Sequence, residues 1–81
     1  MEIREIEEDY NFDPISVGED RAFITRWTDD TYTVYVEGQD RSTGIRYTVV
    51  DDAVFDYMPT EDQIMEVIEN ENQRRFDLAH P

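Results

Sequence analysis

The stretch Arg21–Glu37, RAFITRWTDDTYTVYVE, decides the fold. Two runs rich in aromatic and β-branched residues, Arg21–Thr28 and Thr31–Glu37, flank the dipeptide Asp29-Asp30. Such runs around two short polar residues predict a β-hairpin. Pairing Thr28 with Thr31 across a two-residue turn sets Trp27 against Tyr32, Thr25 against Val34 and Phe23 against Val36. Those six residues then share one side of the sheet, and Ala22, Ile24, Arg26, Thr33, Tyr35 and Glu37 share the other. A slip of one residue would mix the two sets, so the register carries the packing. This register buries Phe23, Trp27, Val34 and Val36.

Downstream, the polar loop Gly38–Gly44 leads to a third strand, Ile45–Val50, with Ile45, Tyr47 and Val49 on one face. Asp51-Asp52 reads as a second tight turn into Ala53–Met58, which is either a fourth strand or an irregular lead into a helix. The helix itself is well marked. Thr60-Glu61-Asp62-Gln63 is a capping box, in which Thr60 and Gln63 each satisfy the other's backbone N–H. Ile64, Val67 and Ile68 form its apolar stripe, and Glu61, Asp62, Arg74 and Arg75 suit its dipole. Glu71 and Arg75 fall on that stripe, so the second half should not be deeply buried.

Upstream, residues 1–10 fit two periods. Ile3, Ile6 and Tyr10 suit a helix, whereas Glu5, Glu7 and Asp9 would line one face of a strand; an edge strand is the preferred reading. Pro14 and Gly18 make residues 11–20 a loop. The expected architecture is one small α+β domain over residues 1–81. An antiparallel sheet of three to four strands carries one C-terminal helix packed on one face. Residues 1–20 form the edge strand and loop, 21–58 the strands, 60–76 the helix and 77–81 a frayed tail.

Composition narrows the function. Of 81 residues, 21 are Asp or Glu and seven are Arg, with no Lys, for a net charge of −14. Small soluble domains usually carry a net charge of magnitude ~2–8. Phosphates would be repelled, which argues against direct nucleic-acid binding and against an anionic membrane surface. No apolar run approaches the ~18 residues of a membrane span, and the start has no signal-peptide pattern, so a cytoplasmic protein is expected. If the chain is viral, that means the host cytoplasm. The absence of Cys excludes disulfides and thiolate chemistry.

No catalytic set emerges, so no enzymatic activity and no cofactor are expected. The single His, His80, is second from the end. Ser16 and Ser42 have no local partner base, and phosphate-cradling Gly motifs are absent. Asp9-x-Asn11-x-Asp13 with Asp20 resembles the start of an EF-hand calcium loop. Pro14 stands where that loop needs Gly and Asp20 is shorter than the usual Glu, so an acidic loop is the reading and no metal site is assigned. The aromatic residues Phe23, Trp27, Tyr32, Tyr35, Tyr47, Phe55 and Tyr57 read as core or partner contacts, with Tyr35 facing away from Trp27.

The acids are ordered in two places. On the helix, Asp62, Glu66 and Glu69 fall within an arc of about 60°, at axial steps of about 6 and 4.5 Å. On an extended amino-terminal strand, Glu5, Glu7 and Asp9 would repeat every ~6.6 Å along one face. Either row would present carboxylates at intervals like those of DNA phosphates. In size and charge the chain resembles the DNA-mimic inhibitors that phages use against restriction, CRISPR or transcription machinery. No family motif carries that resemblance. It implies a non-enzymatic protein that engages the basic surface of a nucleic-acid-binding protein through these six residues. The alternative is a small domain of a salt-adapted organism, archaeal or viral in source, whose acids serve solvation. The replacement of Lys by Arg points that way.

Overall fold

The computed structural model describes residues 5–79 and has the expected α+β architecture, an antiparallel sheet with one C-terminal helix. The strands are β1 (Glu8–Asn11), β2 (Ile15–Val17), β3 (Asp20–Trp27), β4 (Tyr32–Gln39) and β5 (Arg46–Phe55). The helix α1 spans Glu61–Ala79. The order is β1-β3-β4-β5, and β2 also pairs with β3. The sheet thus has four main strands, one edge of which is broken into two pieces.

That broken edge corrects the expected loop over residues 11–20. Pro14 has no N–H for a ladder, so pairing stops near it and resumes at Ile15. Ile15 then pairs with Ala22 and Val17 with Asp20 across the two-residue turn Gly18-Glu19. Gly18 takes φ 63°, the left-handed region that glycine enters without cost. The pairing carries Val17 into the core.

The central hairpin forms, but its register is one residue away from the expected one. Arg26 pairs with Tyr32, Thr25 with Thr33, Ile24 with Val34, Phe23 with Tyr35 and Ala22 with Val36. The cause is the turn. Trp27 N–H donates to the Thr31 carbonyl at 2.9 Å and Asp30 N–H to the Trp27 carbonyl at 3.0 Å, enclosing three residues rather than two. Thr28 joins Asp29 and Asp30 in the loop, and Asp30 closes it at φ 64°. Asp29 accepts from both the N–H and the hydroxyl of Thr31, which fixes the loop. A three-residue loop ending in a left-handed residue is the next commonest hairpin closure after the two-residue turn. Its consequence is that Val34 and Val36 face the helix with Ala22 and Ile24, while Phe23 and Trp27 face away from it together with Tyr35.

This closure makes a testable demand on one residue. Asp tolerates the left-handed region better than most side chains, and a β-branched residue does so poorly. Asp30→Gly should leave stability unchanged or raise it by up to about 1 kcal/mol, even though the exposed Arg26–Asp30 pair is lost. Asp30→Val should cost about 1–2 kcal/mol. Urea denaturation of both variants checks this; equal midpoints would contradict the three-residue closure.

Strand β5 is continuous where a second tight turn was expected at Asp51-Asp52. The first of two irregularities absorbs those residues: pairing passes from Val34–Ala53 to Val36–Val50, then to Glu37–Thr48. Asp52 sits at φ 47° within the first. The second lets the neighbours Val49 and Val50 both be buried, which strict alternation forbids. The expected face of Ile45, Tyr47 and Val49 therefore breaks up: Val49 is core, Tyr47 is exposed and Ile45 precedes the strand. Residues 53–55 belong to β5, and 56–58 lie outside any strand.

The helix starts as the capping box dictates. Gln63 N–H donates to Thr60 Oγ1 at 3.2 Å, and Thr60 N–H donates to Gln63 Oε1 at 2.8 Å. Ile64 and Ile68 are buried and Val67 packs against the core. The helix continues three residues past the expected end at 76, so Asp77, Leu78 and Ala79 are helical; His80 and Pro81 lie outside the described residues. Near its carboxyl end Arg75 reaches the sheet and donates to the carbonyls of Thr48 and Val49 at 3.1 and 3.0 Å. The core beneath is wholly aliphatic: Val17, Ala22, Ile24, Val34, Val36, Val49, Val50, Ile64 and Ile68. No aromatic ring is among its buried members, although Phe12, Tyr32 and Phe55 pack against it.

Candidate protein interface

Asp62, Glu66 and Glu69 project from the exposed side of α1, away from Ile64 and Ile68. None of the three has an ion-pair or hydrogen-bond partner among the described residues. The nearby Glu71 differs: it is half-buried, accepts from Arg74 and lies 3.5 Å from Arg75 Nε. The hydrogen bond from Arg74 holds the Glu71 carboxyl below its usual range and raises the Arg74 guanidinium. Elsewhere Arg26 bridges Asp9 and Asp30, Arg41 pairs with Glu19, and Arg46 lies 3.9 Å from Glu37. Five arginines are thus engaged by acids outside the helix row. The row keeps its charge unneutralised.

The second expected row does not form. Strand β1 begins at Glu8, so Glu5 and Glu7 precede it. Glu8 pairs with Trp27 and Tyr10 with Arg26, which leaves Asp9 as an unpaired bulge residue. A bulge breaks the two-residue alternation on which the row depended. Glu7 is held through its backbone, its N–H donating to Thr28 Oγ1 and its carbonyl accepting from Thr28 N–H. Asp9 faces Arg26 at 3.6 Å. Residues 1–4, Ile3 among them, lie outside the described residues.

Two further acids are held by local geometry. The Thr31 hydroxyl, then its N–H, lowers the Asp29 carboxyl, and the N–H groups of Thr43 and Ser42 lower that of Asp40. A depressed carboxyl stabilises the fold above the ordinary carboxylate range, about pH 4, and the gain is lost as pH falls through the depressed value. Both acids brace loops. They are not poised for proton transfer.

The residues of the calcium-like spacing are spread along β1, the following break and the start of β3, so no ligand loop is assembled. Among the described residues no three acidic or His side chains converge in a way that could hold a metal ion. A hollow of about 360 Å³ lies between α1 and β2. Val17, Tyr47, Met65 and Ile68 line it, with Glu19, Asp20 and Glu69 at its margin. Sequence reading missed Tyr47 and Met65 as neighbours of Glu69. The only signal was Gly38, which pairs with Tyr47 and lies under its ring, where a Cβ would come within 2.6 Å of Cζ.

Chemically, the helix row can accept hydrogen bonds from guanidinium or ammonium groups at spacings suited to a phosphate-binding surface. No described helix is long and apolar enough to cross a membrane. Comparison with known protein families, curated proteins and solved structures finds no match.

Proposed function

We propose that this chain is a non-enzymatic binding protein whose acidic helix face engages a basic protein surface that otherwise holds nucleic acid. One observation carries the reading: Asp62, Glu66 and Glu69 stand exposed and unpaired in a row, while five arginines are taken up by other acids. Carboxylates left unpaired on a rigid helix need no rearrangement to meet an arginine-rich cleft, which favours fast, salt-dependent association. The protein then acts in the cytoplasm, the host's if it is viral, as a competitor of DNA or RNA. The second reading, acids that only solvate a salt-adapted domain, is favoured by the absence of Lys.

Affinity capture from the source lysate at rising salt identifies the partner, and titration then separates the readings. The triple change Asp62→Asn, Glu66→Gln and Glu69→Gln should weaken binding at least about tenfold, equivalent to about 1.4 kcal/mol. Melting should remain cooperative, because all three side chains are exposed. Binding by the unaltered chain should weaken with added salt and with added DNA. Binding indifferent to both the triple change and DNA would leave solvation as the role of this face.

A further inference from the structure

We propose that the hollow between α1 and β2 is a socket for one arginine side chain of the basic partner. The inference rests on the function proposed above and adds to it the residue the partner must bring. The acidic helix row ends at Glu69, which stands at the margin of this hollow. Three acids line the hollow, Glu19, Asp20 and Glu69, and no arginine does. Glu19 is taken up by Arg41, whereas Asp20 and Glu69 have no ion-pair partner among the described residues.

The floor is apolar. Val17 and Ile68 belong to the buried core, and Met65 and Tyr47 remain 41% and 49% exposed. An apolar floor beneath unneutralised carboxylates fits a side chain with an aliphatic stem and a cationic head. The volume of about 360 Å³ lies near the lower end of ligand pockets, ~300–1,000 Å³. That is room for a side chain and not for a helix.

Tyr47 selects arginine over lysine. Gly38 is register-paired with Tyr47, and a Cβ there would come within 2.6 Å of Cζ. The bare glycine therefore lets the ring lie down against the strand, with the rest of its surface open to the hollow. A planar guanidinium stacks on such a ring while its fork of N–H donors meets carboxylates, here those of Asp20 and Glu69. A lysine ammonium is a point charge without the planar fork.

Titration of the isotope-labelled full chain with a blocked hexa-arginine peptide, and separately with hexa-lysine, tests the socket. Amide shifts are followed by NMR at the lowest salt where the chain melts cooperatively. With hexa-arginine the largest shifts are expected at Gly18, Tyr47, Met65 and Asn72, the residues around the hollow. Its affinity should exceed that of hexa-lysine at least about threefold. Tyr47→Leu should erase that preference, and Tyr47→Phe, which keeps the ring, should retain it. Shifts confined to Asp62 and Glu66 overturn the socket. So do equal affinities for the two peptides, no binding of hexa-arginine, or a preference that survives Tyr47→Leu. Those outcomes leave the helix row to be judged separately, by the effect of Asp62→Asn with Glu66→Gln on partner binding, since neither residue lines the hollow. The shift map needs only the unaltered chain, so a variant that fails to fold leaves the proposal decidable.

Discussion

Ile64→Ala is expected to cost about 2–5 kcal/mol, the range for removing most of a buried branched side chain and leaving a cavity. Ile64 is 0% exposed and is the point where the helix enters the aliphatic layer of Val34 and Val36. Total stability for a domain of this length is about 4–12 kcal/mol at the usual 0.05–0.15 kcal/mol per residue. The loss is therefore a large share of the whole, with only eight other buried hydrophobic residues in the core. Urea unfolding in molar KCl should show the midpoint falling by more than about 1 M, given a slope near 1–3 kcal/mol/M. Leu78→Ala, on the same helix but 70% exposed, should stay within about 0.5 kcal/mol of the unaltered chain. Equal effects at the two positions would show that the helix does not dock through Ile64.

Salt should have an effect of similar size. Only Asp9, Glu19, Asp30, Glu37 and Glu71 form ion pairs among the described residues, so most of the 21 acids face one another through water. At low ionic strength that repulsion destabilises the compact state. At 1 M the Debye length shrinks to about 3 Å, and only neighbouring charges still interact. For a domain of this size each 1 kcal/mol of relief raises the melting temperature by about 4–8 °C. A rise of at least 10 °C between dilute buffer and molar KCl corresponds to about 1–3 kcal/mol on that scale. The exposed ion pairs are screened as well, but such pairs contribute only about 0–1 kcal/mol each. A melting temperature that stays flat with salt would mean that the arginines already balance the field.

How much of this was legible in the sequence depended on how local the signal was. The capping box is written within four residues, and both of its hydrogen bonds are present, Thr60 to Gln63 and back. The acidic helix row follows from 100° per residue alone, and its three members stand on the exposed side. The hairpin was legible as two strands and a turn. Its register was not, because Asp29-Asp30 reads equally as a two-residue turn or as part of a three-residue one. One left-handed aspartate then exchanged the inner and outer faces of β3 against those of β4. At Asp51-Asp52 the same dipeptide makes a bulge inside a continuous strand. The amino-terminal acidic row failed for a related reason: strict alternation was assumed, and the unpaired Asp9 interrupts it. In each case a residue that tolerates irregular backbone was read by its commonest use. The winning use was set by pairing with distant strands.

The contact between Arg75 and β5 bears on something other than the fold's stability. Strand β5 closes one side of the sheet, and at ten residues it is the longest strand in the molecule. A long free strand is a template on which another chain can add by backbone hydrogen bonding, the first step towards fibrils. In molar salt, where charge no longer keeps molecules apart, that hazard is greatest. Arg75 occupies the carbonyls of Thr48 and Val49 on this strand. The two irregularities in β5 spoil the regular spacing of the remainder. One arginine near the carboxyl end of the helix therefore fastens the edge strand to the helix layer, and it does so by hydrogen bonds to neutral carbonyls rather than by long-range attraction.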